Sequence, residues 1–136
     1  MLKFALPIIA LGLASCAATP QQVAREEASA AQSEARLATA LAGLVPGNPT
    51  ACINPRGLNT TTYGDKILYR QGRRAYLATT NGGCFGLSRD DIIVTRTPSG
   101  QLCRGDIITT VDRNSRFPSG SCSFGDFTPY TRAPRR

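Results

Sequence analysis

Hydrophobic and polar positions divide the chain into three stretches of different character. Residues 4–13 form an uncharged, largely apolar run, and residues 20–44 are dominated by alanine with interspersed glutamine and charged residues. From residue 51 onward, short runs rich in β-branched and aromatic residues alternate with glycine, proline and asparagine. These patterns predict a short apolar leader, a helical segment and then a small domain of β-strands.

The alanine-rich stretch predicts a helix over residues 20–44. Thr19, Pro20 and Gln22 have the pattern of a capping box with proline at the first helical position. Alanine and glutamine favour helix, and the two prolines within residues 46–49 end it. Alanine side chains bury little area, so the stretch is interpreted as a tether rather than as a helix that binds a partner.

A short apolar ridge lies near the end of this predicted helix. Leu37, Leu41 and Leu44 recur at helical spacing on one face. We expect this ridge to dock the end of the helix onto the domain that follows.

The composition changes near Ala51, where threonine, glycine, arginine, tyrosine and isoleucine replace alanine and glutamine. Short β-type runs bounded by turn signals predict antiparallel strands at residues 66–70, 75–80, 92–97, 101–103, 107–111 and 123–128. The first two are predicted to form a hairpin, and residues 114–121 are predicted as a loop. The predicted fold class is mainly β: a small, disulfide-linked antiparallel β domain, with a closed barrel and an open sheet both possible.

The apolar run at the start of the chain ends in a recognisable processing signal. Leu13, Ala14, Ser15 and Cys16 match the lipobox of bacterial lipoproteins, in which diacylglycerol is attached to the cysteine thiol and the chain is cut just before it. The run is long enough for the core of a signal peptide and too short to span a bilayer. An ordinary secretory signal with a chance cysteine is the alternative.

Lipidation at Cys16 predicts a location in the cell envelope. Two acyl chains plus a third on the new amino group anchor a protein stably, whereas one chain gives only marginal binding. Ala17 stands where an aspartate would resemble an inner-membrane retention signal, which favours the periplasmic face of the outer membrane. The predicted organisation is a signal peptide at 1–15, a lipidated N-terminus and helical tether at 16–50, a β domain at 51–131 and a basic tail at 132–136.

The four remaining cysteines predict two disulfides. Cys52, Cys84, Cys103 and Cys122 are even in number and lie in a small domain exported to an oxidising compartment. A four-thiolate zinc site would need close cysteine pairs, which this chain lacks, so no metal is expected. Each bridge in such a domain contributes about 2–4 kcal/mol to its stability.

Three pairings of these cysteines are possible. In the predicted hairpin the chain enters and leaves at the same end, which favours the pair Cys52–Cys84 and leaves Cys103–Cys122. The alternative pairing is Cys84–Cys103 with Cys52–Cys122.

Composition restricts the chemistry that the chain can perform. It contains no histidine, which excludes histidine-based acid–base catalysis, Ser-His and Cys-His nucleophiles and histidine metal ligands. The carboxylates of note are interpreted as turn residues rather than as a hydrolytic pair, and they are Asp90, Asp91, Asp106, Asp112 and Asp126. We therefore expect no enzyme activity and no cofactor.

Positive charge is concentrated in the predicted β domain. The formal net charge is +7, and residues 51–136 contain thirteen Lys and Arg against six Asp and Glu. Guanidinium groups suit phosphate and carboxylate, so Arg70, Arg73 and Arg74 on the predicted hairpin form the candidate anion-binding site. A solvated hairpin tip is the alternative interpretation. Besides the membrane, the expected partner is an anionic envelope component or an envelope protein, and the compartment excludes nucleic acid.

A set of cysteine, turn and apolar positions carries a resemblance to a known family. These positions are Cys52, Ile53, Ile67, Leu68, Tyr69, Tyr76, Leu77, Cys84, Leu87, Leu102, Cys103, Gly105, Asp106, Cys122, Gly125 and Phe127. Over residues 52–130 the chain resembles a family of uncharacterised proteobacterial envelope proteins that share a four-cysteine domain of unknown function. The resemblance implies the same domain boundary and disulfides, and no activity comes with it.

Together these features predict a non-enzymatic binding or structural module of the bacterial cell envelope, anchored to the membrane through Cys16. The alternative is a periplasmic inhibitor of a hydrolase, of the lysozyme- or protease-inhibitor type. An inhibitor of a basic lysozyme would ordinarily be acidic, whereas this domain is basic, which weakens that alternative.

Overall fold

A computed structural model describes residues 18–134 of the chain. The predicted signal peptide at 1–15, the lipidation site Cys16 and the last two residues of the predicted basic tail lie outside the described residues. The helices are α1 (Pro20–Ala40) and a 3-10 helix (Leu87–Arg89). The strands are β1 (Leu44–Pro46), β2 (Cys52–Ile53), β3 (Asn59–Tyr63), β4 (Lys66–Gln71), β5 (Arg74–Asn81), β6 (Ile92–Thr95), β7 (Leu102–Cys103), β8 (Ile107–Val111) and β9 (Pro118–Arg132). The prediction of a mainly β fold is confirmed, with 44% strand and 21% helix.

The start of α1 follows the predicted capping box. The Gln22 amide donates to the Thr19 hydroxyl at 3.3 Å, and the Thr19 amide donates to the Gln22 side chain at 2.9 Å. The helix ends at Ala40, earlier than the predicted residue 44. Gly43 adopts a φ of +74°, a left-handed conformation that glycine tolerates, and this turn leads directly into β1.

One long strand organises a curled antiparallel sheet. The strand order is β3-β4-β5-β9-β8-β6, and β1 pairs with the last residues of β9. β5 lies along one side of β9, whereas β8, the bridge from Thr50 to Phe127 and β1 follow one another along the other side. The sheet therefore begins before the predicted boundary at Ala51. It also includes Arg132, which pairs with Leu44 rather than belonging to a free tail.

The predicted hairpin of β4 and β5 is confirmed, and the structure adds a strand that was not predicted. A two-residue turn joins β4 to β5, and its first residue, Gly72, has a φ of +58°, as a tight hairpin turn of this length requires. β3 pairs along the other edge of β4. The predicted loop at 114–121 is shorter than expected, because β9 begins at Pro118.

The core lies on the concave face of the curled sheet. Tyr69, Phe124 and Phe127 form its aromatic centre, with the rings of Phe124 and Phe127 5.2 Å apart and Tyr69 6.3 Å from each. Ile67 and Ile108 pack into the same cluster and are fully buried.

The opposite face of β4 carries the C-terminal half of α1. Strand alternation places Lys66, Leu68 and Arg70 on this outer face. Glu34 pairs with Lys66, and the Ala40 carbonyl accepts a hydrogen bond from Arg70, so the helix runs along the strand. Leu37 is the buried residue of α1, which agrees with the expected docking of the helix end, whereas residues 20–32 are exposed.

The two disulfides join Cys52 to Cys103 and Cys84 to Cys122. The favoured pairing of Cys52 with Cys84 and of Cys103 with Cys122 is wrong, and so is the alternative pairing. The physical reason is that both cysteine pairs form outside the predicted hairpin. β3 separates Cys52 from β4, and Asn81 at the end of β5 pairs with Ser123 of β9, which brings Cys84 close to Cys122. Cys52 instead faces Cys103 directly across the small β2–β7 ribbon.

Candidate functional site

A basic pocket of about 340 Å³ lies at the C-terminal end of α1. Three arginines from different elements line it: Arg70 in β4, Arg73 in the β4–β5 turn and Arg132 at the end of β9. The remaining lining is uncharged and comprises Thr39, Ala40, Ala42, Leu44, Gly72 and Ala75. We call this cavity the basic pocket, because three arginines and no carboxylate residue line it.

The register of the sheet explains why these arginines converge. Ala75 of β5 pairs with Arg70 on one side and with Tyr130 of β9 on the other, so these positions share the outer face. Arg132 lies two residues beyond Tyr130 and therefore points to the same face. Ala75 is a small residue and is almost fully buried, which leaves space between the arginines rather than filling it.

Arg70 and the other two arginines have different roles in this pocket. The Arg70 guanidinium donates to the Ala40 carbonyl, one of the helix-terminal carbonyls that lack a partner within the helix. A cation at this end also interacts favourably with the helix dipole, so Arg70 holds one wall of the pocket. Arg73 and Arg132 are exposed, and neither has a carboxylate within 4 Å among residues 18–134.

Arg74, the third predicted site residue, lies outside the basic pocket. It follows the turn at the start of β5 and pairs with Gln71, so alternation directs it to the face opposite Ala75. The structure thus brings together Arg70 and Arg73 from the predicted trio and adds Arg132. The sequence assigned Arg132 to a tail, and only the pairing of β9 with β1 and β5 shows its position.

A second cavity of about 650 Å³ separates the two edges of the sheet. β3 forms one wall through residues 60–62, and β6 forms the other through Ile92, Ile93 and Thr95. We call this cavity the edge cleft. Tyr69, Leu87 and Leu102 contribute to its lining, and burial raises the pKa of the Tyr69 phenol above its usual value.

A buried polar network supports the loop that leads into β6. The Ser119 hydroxyl donates to the Asp91 carboxylate and lies 3.0 Å from the Thr110 hydroxyl. Gly86 fits closely over this network, because a Cβ there would lie 2.5 Å from both Asp91 Oδ2 and Thr110 Oγ1. Asp91 is therefore a structural carboxylate that fixes the loop onto β8 and β9.

The other aspartates singled out in the sequence also belong to turns and ion pairs. Asp106 accepts a hydrogen bond from the Cys103 amide at 2.8 Å, and Asp126 pairs with Arg104 at 2.9 Å. Asp112 accepts from the Asn114 and Ser115 amides, and the bonds from Ser115 are the main reason its pKa is lowered. Asp90 lies 3.5 Å from Arg113. Each of these four carboxylates therefore has a hydrogen-bond or ion-pair partner of its own.

Within residues 18–134, no group of three or more His, Cys, Asp or Glu residues could hold a metal ion. In the same range, no helix combines the length and apolar character needed to cross a membrane.

Comparisons of the chain with protein-family models, curated proteins and solved structures find no match.

Proposed function

We propose that this chain is a bacterial cell-envelope lipoprotein whose β domain is a non-enzymatic binding module for anionic groups. The lipobox ending at Cys16 supports the lipid anchor, and Ala17 supports the periplasmic face of the outer membrane. The basic pocket is the observation that carries the binding role, because Arg70, Arg73 and Arg132 surround one cavity that no carboxylate lines.

The chemistry of the pocket favours an anionic group on a larger envelope component. A guanidinium presents its N–H groups as a planar fork that matches the oxygens of a phosphate or carboxylate. A volume of about 340 Å³ is at the small end of ligand sites, which suits one charged group rather than a whole polymer. The open side of the pocket leaves the remainder of such a molecule in solvent.

The position of the pocket relative to the anchor also supports a larger envelope component as the ligand. α1 has 21 residues, and at about 1.5 Å per residue it separates the pocket from Thr19 by about 32 Å. The lipid would be attached three residues before Thr19, at Cys16. A binding site at the far end of this helix can reach envelope polymers that lie away from the membrane surface.

The binding role is tested by reversing the two exposed arginines of the pocket. We expect Arg73→Glu with Arg132→Glu to abolish retention of the full-length chain, in detergent, on purified peptidoglycan at low salt. The matched control is Arg74→Glu with Arg116→Glu, which changes the net charge equally at two exposed arginines outside the pocket lining. Equal loss of retention in both variants would reduce the effect to overall charge and overturn the pocket assignment.

The anchor is tested separately with Cys16→Ser, which removes the thiol that would carry diacylglycerol. We expect the native chain in the membrane fraction of the producing cells and the variant released from it, because the acyl chains would be the anchor. A variant that remains in the membrane fraction would contradict lipid anchoring through Cys16.

A further inference from the structure

The two terminal strands of the sheet face the same cavity. β3 and β6 are the terminal strands in the sheet order, and both line the edge cleft. β3 also lies against the 3-10 helix that precedes β6. Among the described residues, no backbone hydrogen bond joins β3 to β6. The curled sheet therefore approaches closure and leaves a gap along one seam.

The pairing pattern of β3 identifies which of its backbone groups face this gap. Tyr63 and Lys66 flank a two-residue turn, and such a closing pair exchanges both of its hydrogen bonds. Because the pattern alternates, Thr60 and Thr62 direct their N–H and C=O groups away from β4 and toward the edge cleft. On the other wall, β6 pairs with β8 and with no second strand in the described part of the chain.

The charged residues around the edge cleft leave one cation without a partner. Asp90 lies 3.5 Å from Arg113, and Asp91, which Ser119 holds in the buried network, lies 3.7 Å from Arg89. Arg36 of α1 lies 5.8 Å from the centre of the Tyr63 ring and has no carboxylate within 4 Å among residues 18–134. The body of the cleft is thus balanced in charge, whereas its α1 end is positive.

We propose that the edge cleft takes up an extended peptide segment of another protein by β-strand addition. A strand is the structure that satisfies unpaired N–H and C=O groups on both walls at once. The lengths of β3 and β6 set a paired segment of four to five residues. Because charges in the body of the cleft are balanced, an uncharged segment fits there. Arg36 favours an acidic residue at the α1 end. The inference is independent of the basic pocket, which lies on the outer face.

The probe that tests this inference is a phage-displayed library of random 12-residue peptides, selected on the full-length chain in detergent with its disulfides intact. We expect enrichment of uncharged segments that carry an acidic residue at one end. Thr60→Pro removes an N–H that β4 does not use, and its matched control, Thr60→Ala, keeps that N–H. We expect Thr60→Pro to weaken binding of a synthetic enriched peptide about tenfold and Thr60→Ala to weaken it by less than about twofold.

Hydrogen exchange on the native chain provides a second measurement that needs no variant. The amides of Thr60 and Thr62 are expected to exchange at least tenfold more slowly when the enriched peptide is added. Failure of the library to yield a binder, or equal binding by Thr60→Pro and Thr60→Ala without slower exchange, would overturn the proposal.

Two further results would assign the edge cleft to a different occupant and also overturn the proposal. In the first result, soluble glycan oligomers of peptidoglycan displace the peptide. The oligomers alone also slow hydrogen exchange at the amides of Thr60 and Thr62. The other is a dimer of the full-length chain that Thr60→Pro abolishes. Retained peptide binding in the Arg73→Glu, Arg132→Glu variant would show that this site stands apart from the basic pocket.

Discussion

The basic pocket presents side-chain groups to a ligand, whereas the edge cleft presents backbone groups. The basic pocket depends on side chains, because arginines from three elements line it and no carboxylate residue does. The edge cleft depends on backbone, because two terminal strands line it and no backbone hydrogen bond joins them within residues 18–134. Salt screens the attraction of an exposed cationic site strongly and affects strand pairing little. One small domain thus carries two surfaces that differ in how strongly salt affects binding.

One strand supports both surfaces from its two ends. Arg132, at the end of β9, completes the basic pocket, whereas Ser119, near its start, holds the loop that leads into β6. The core residues Phe124 and Phe127 lie between them. Variants that act on only one end of β9 should therefore separate the two surfaces.

Loss of a disulfide should destabilise the domain more than any other change considered below. We expect Cys52→Ala with Cys103→Ala to lower the free energy of unfolding by about 2–5 kcal/mol, measured by urea denaturation. The bridge joins the two strands of the ribbon that carries Leu102, a lining residue of the edge cleft. In the variant, amide hydrogen exchange should therefore accelerate more along the cleft than at the basic pocket.

The second bridge serves as the control for this comparison. Its closed loop spans 38 residues against 51, and chain entropy then predicts losses within about 0.3 kcal/mol of each other. We therefore expect Cys84→Ala with Cys122→Ala to cost a similar free energy of unfolding. Unchanged stability in either double variant would contradict the assigned pairing.

Truncation of the buried residue of α1 should affect the basic pocket selectively. We expect Leu37→Ala to lower the free energy of unfolding by about 2–3 kcal/mol, because a buried leucine loses its packing and the helix end loses its dock. The basic pocket loses one wall with the helix, so retention on anionic material should fall as well. Val23→Ala, at a largely exposed position of the same helix, should change stability by less than about 0.5 kcal/mol. Similar effects of both substitutions would refute the docking role of Leu37.

Removal of one hydroxyl should affect the edge cleft selectively. Ser119→Ala takes a hydrogen-bond donor from the buried Asp91 carboxylate, and we expect a loss of about 1–3 kcal/mol in the free energy of unfolding. Ser121→Ala in the same strand is exposed and should change stability by less than about 0.5 kcal/mol. The network would have no structural role if the two variants were equally stable.

The smallest effect is expected at alkaline pH. Burial raises the pKa of Tyr69, so its contribution to stability is fully present below pH 10.0 and falls as pH rises above that value. Lys66 acts in the same direction, because its pKa is also raised, chiefly by its hydrogen bond to Glu34. Tyr69→Phe should flatten the fall measured by denaturation between pH 9 and 11 and leave the Lys66 part. An identical pH profile in this variant would contradict burial of the Tyr69 hydroxyl.

Most strands were predictable because their apolar residues alternate or cluster, as in Lys66–Gln71 and Ile107–Val111. β3 was not, because Asn59–Tyr63 is almost entirely polar and forms at the edge of the sheet by pairing with β4. The disulfide pairing was also missed, because it depends on strand pairs outside the predicted hairpin. β2 places Cys52 opposite Cys103, and the pairing of β5 with β9 brings Cys84 close to Cys122.

The candidate site was predictable only where its residues are close in sequence. Arg70 and Arg73 belong to one hairpin that the sequence predicts, so their proximity follows from local structure. Arg74 is adjacent in sequence, but alternation turns it to the other face. Arg132 joins the pocket through the register of β9 with β5 and β1, and register between distant strands is set by packing that no local pattern encodes.

The most direct test of the proposed function follows the arginines themselves. In an NMR titration of the full-length chain in detergent with inorganic phosphate, we expect the side-chain Nε–H signals of Arg70, Arg73 and Arg132 to shift together with one dissociation constant. Arg74, on the opposite face, should not shift with them. Uniform small shifts at all arginines, or a shift at Arg74 alone, would contradict an anion site in the basic pocket.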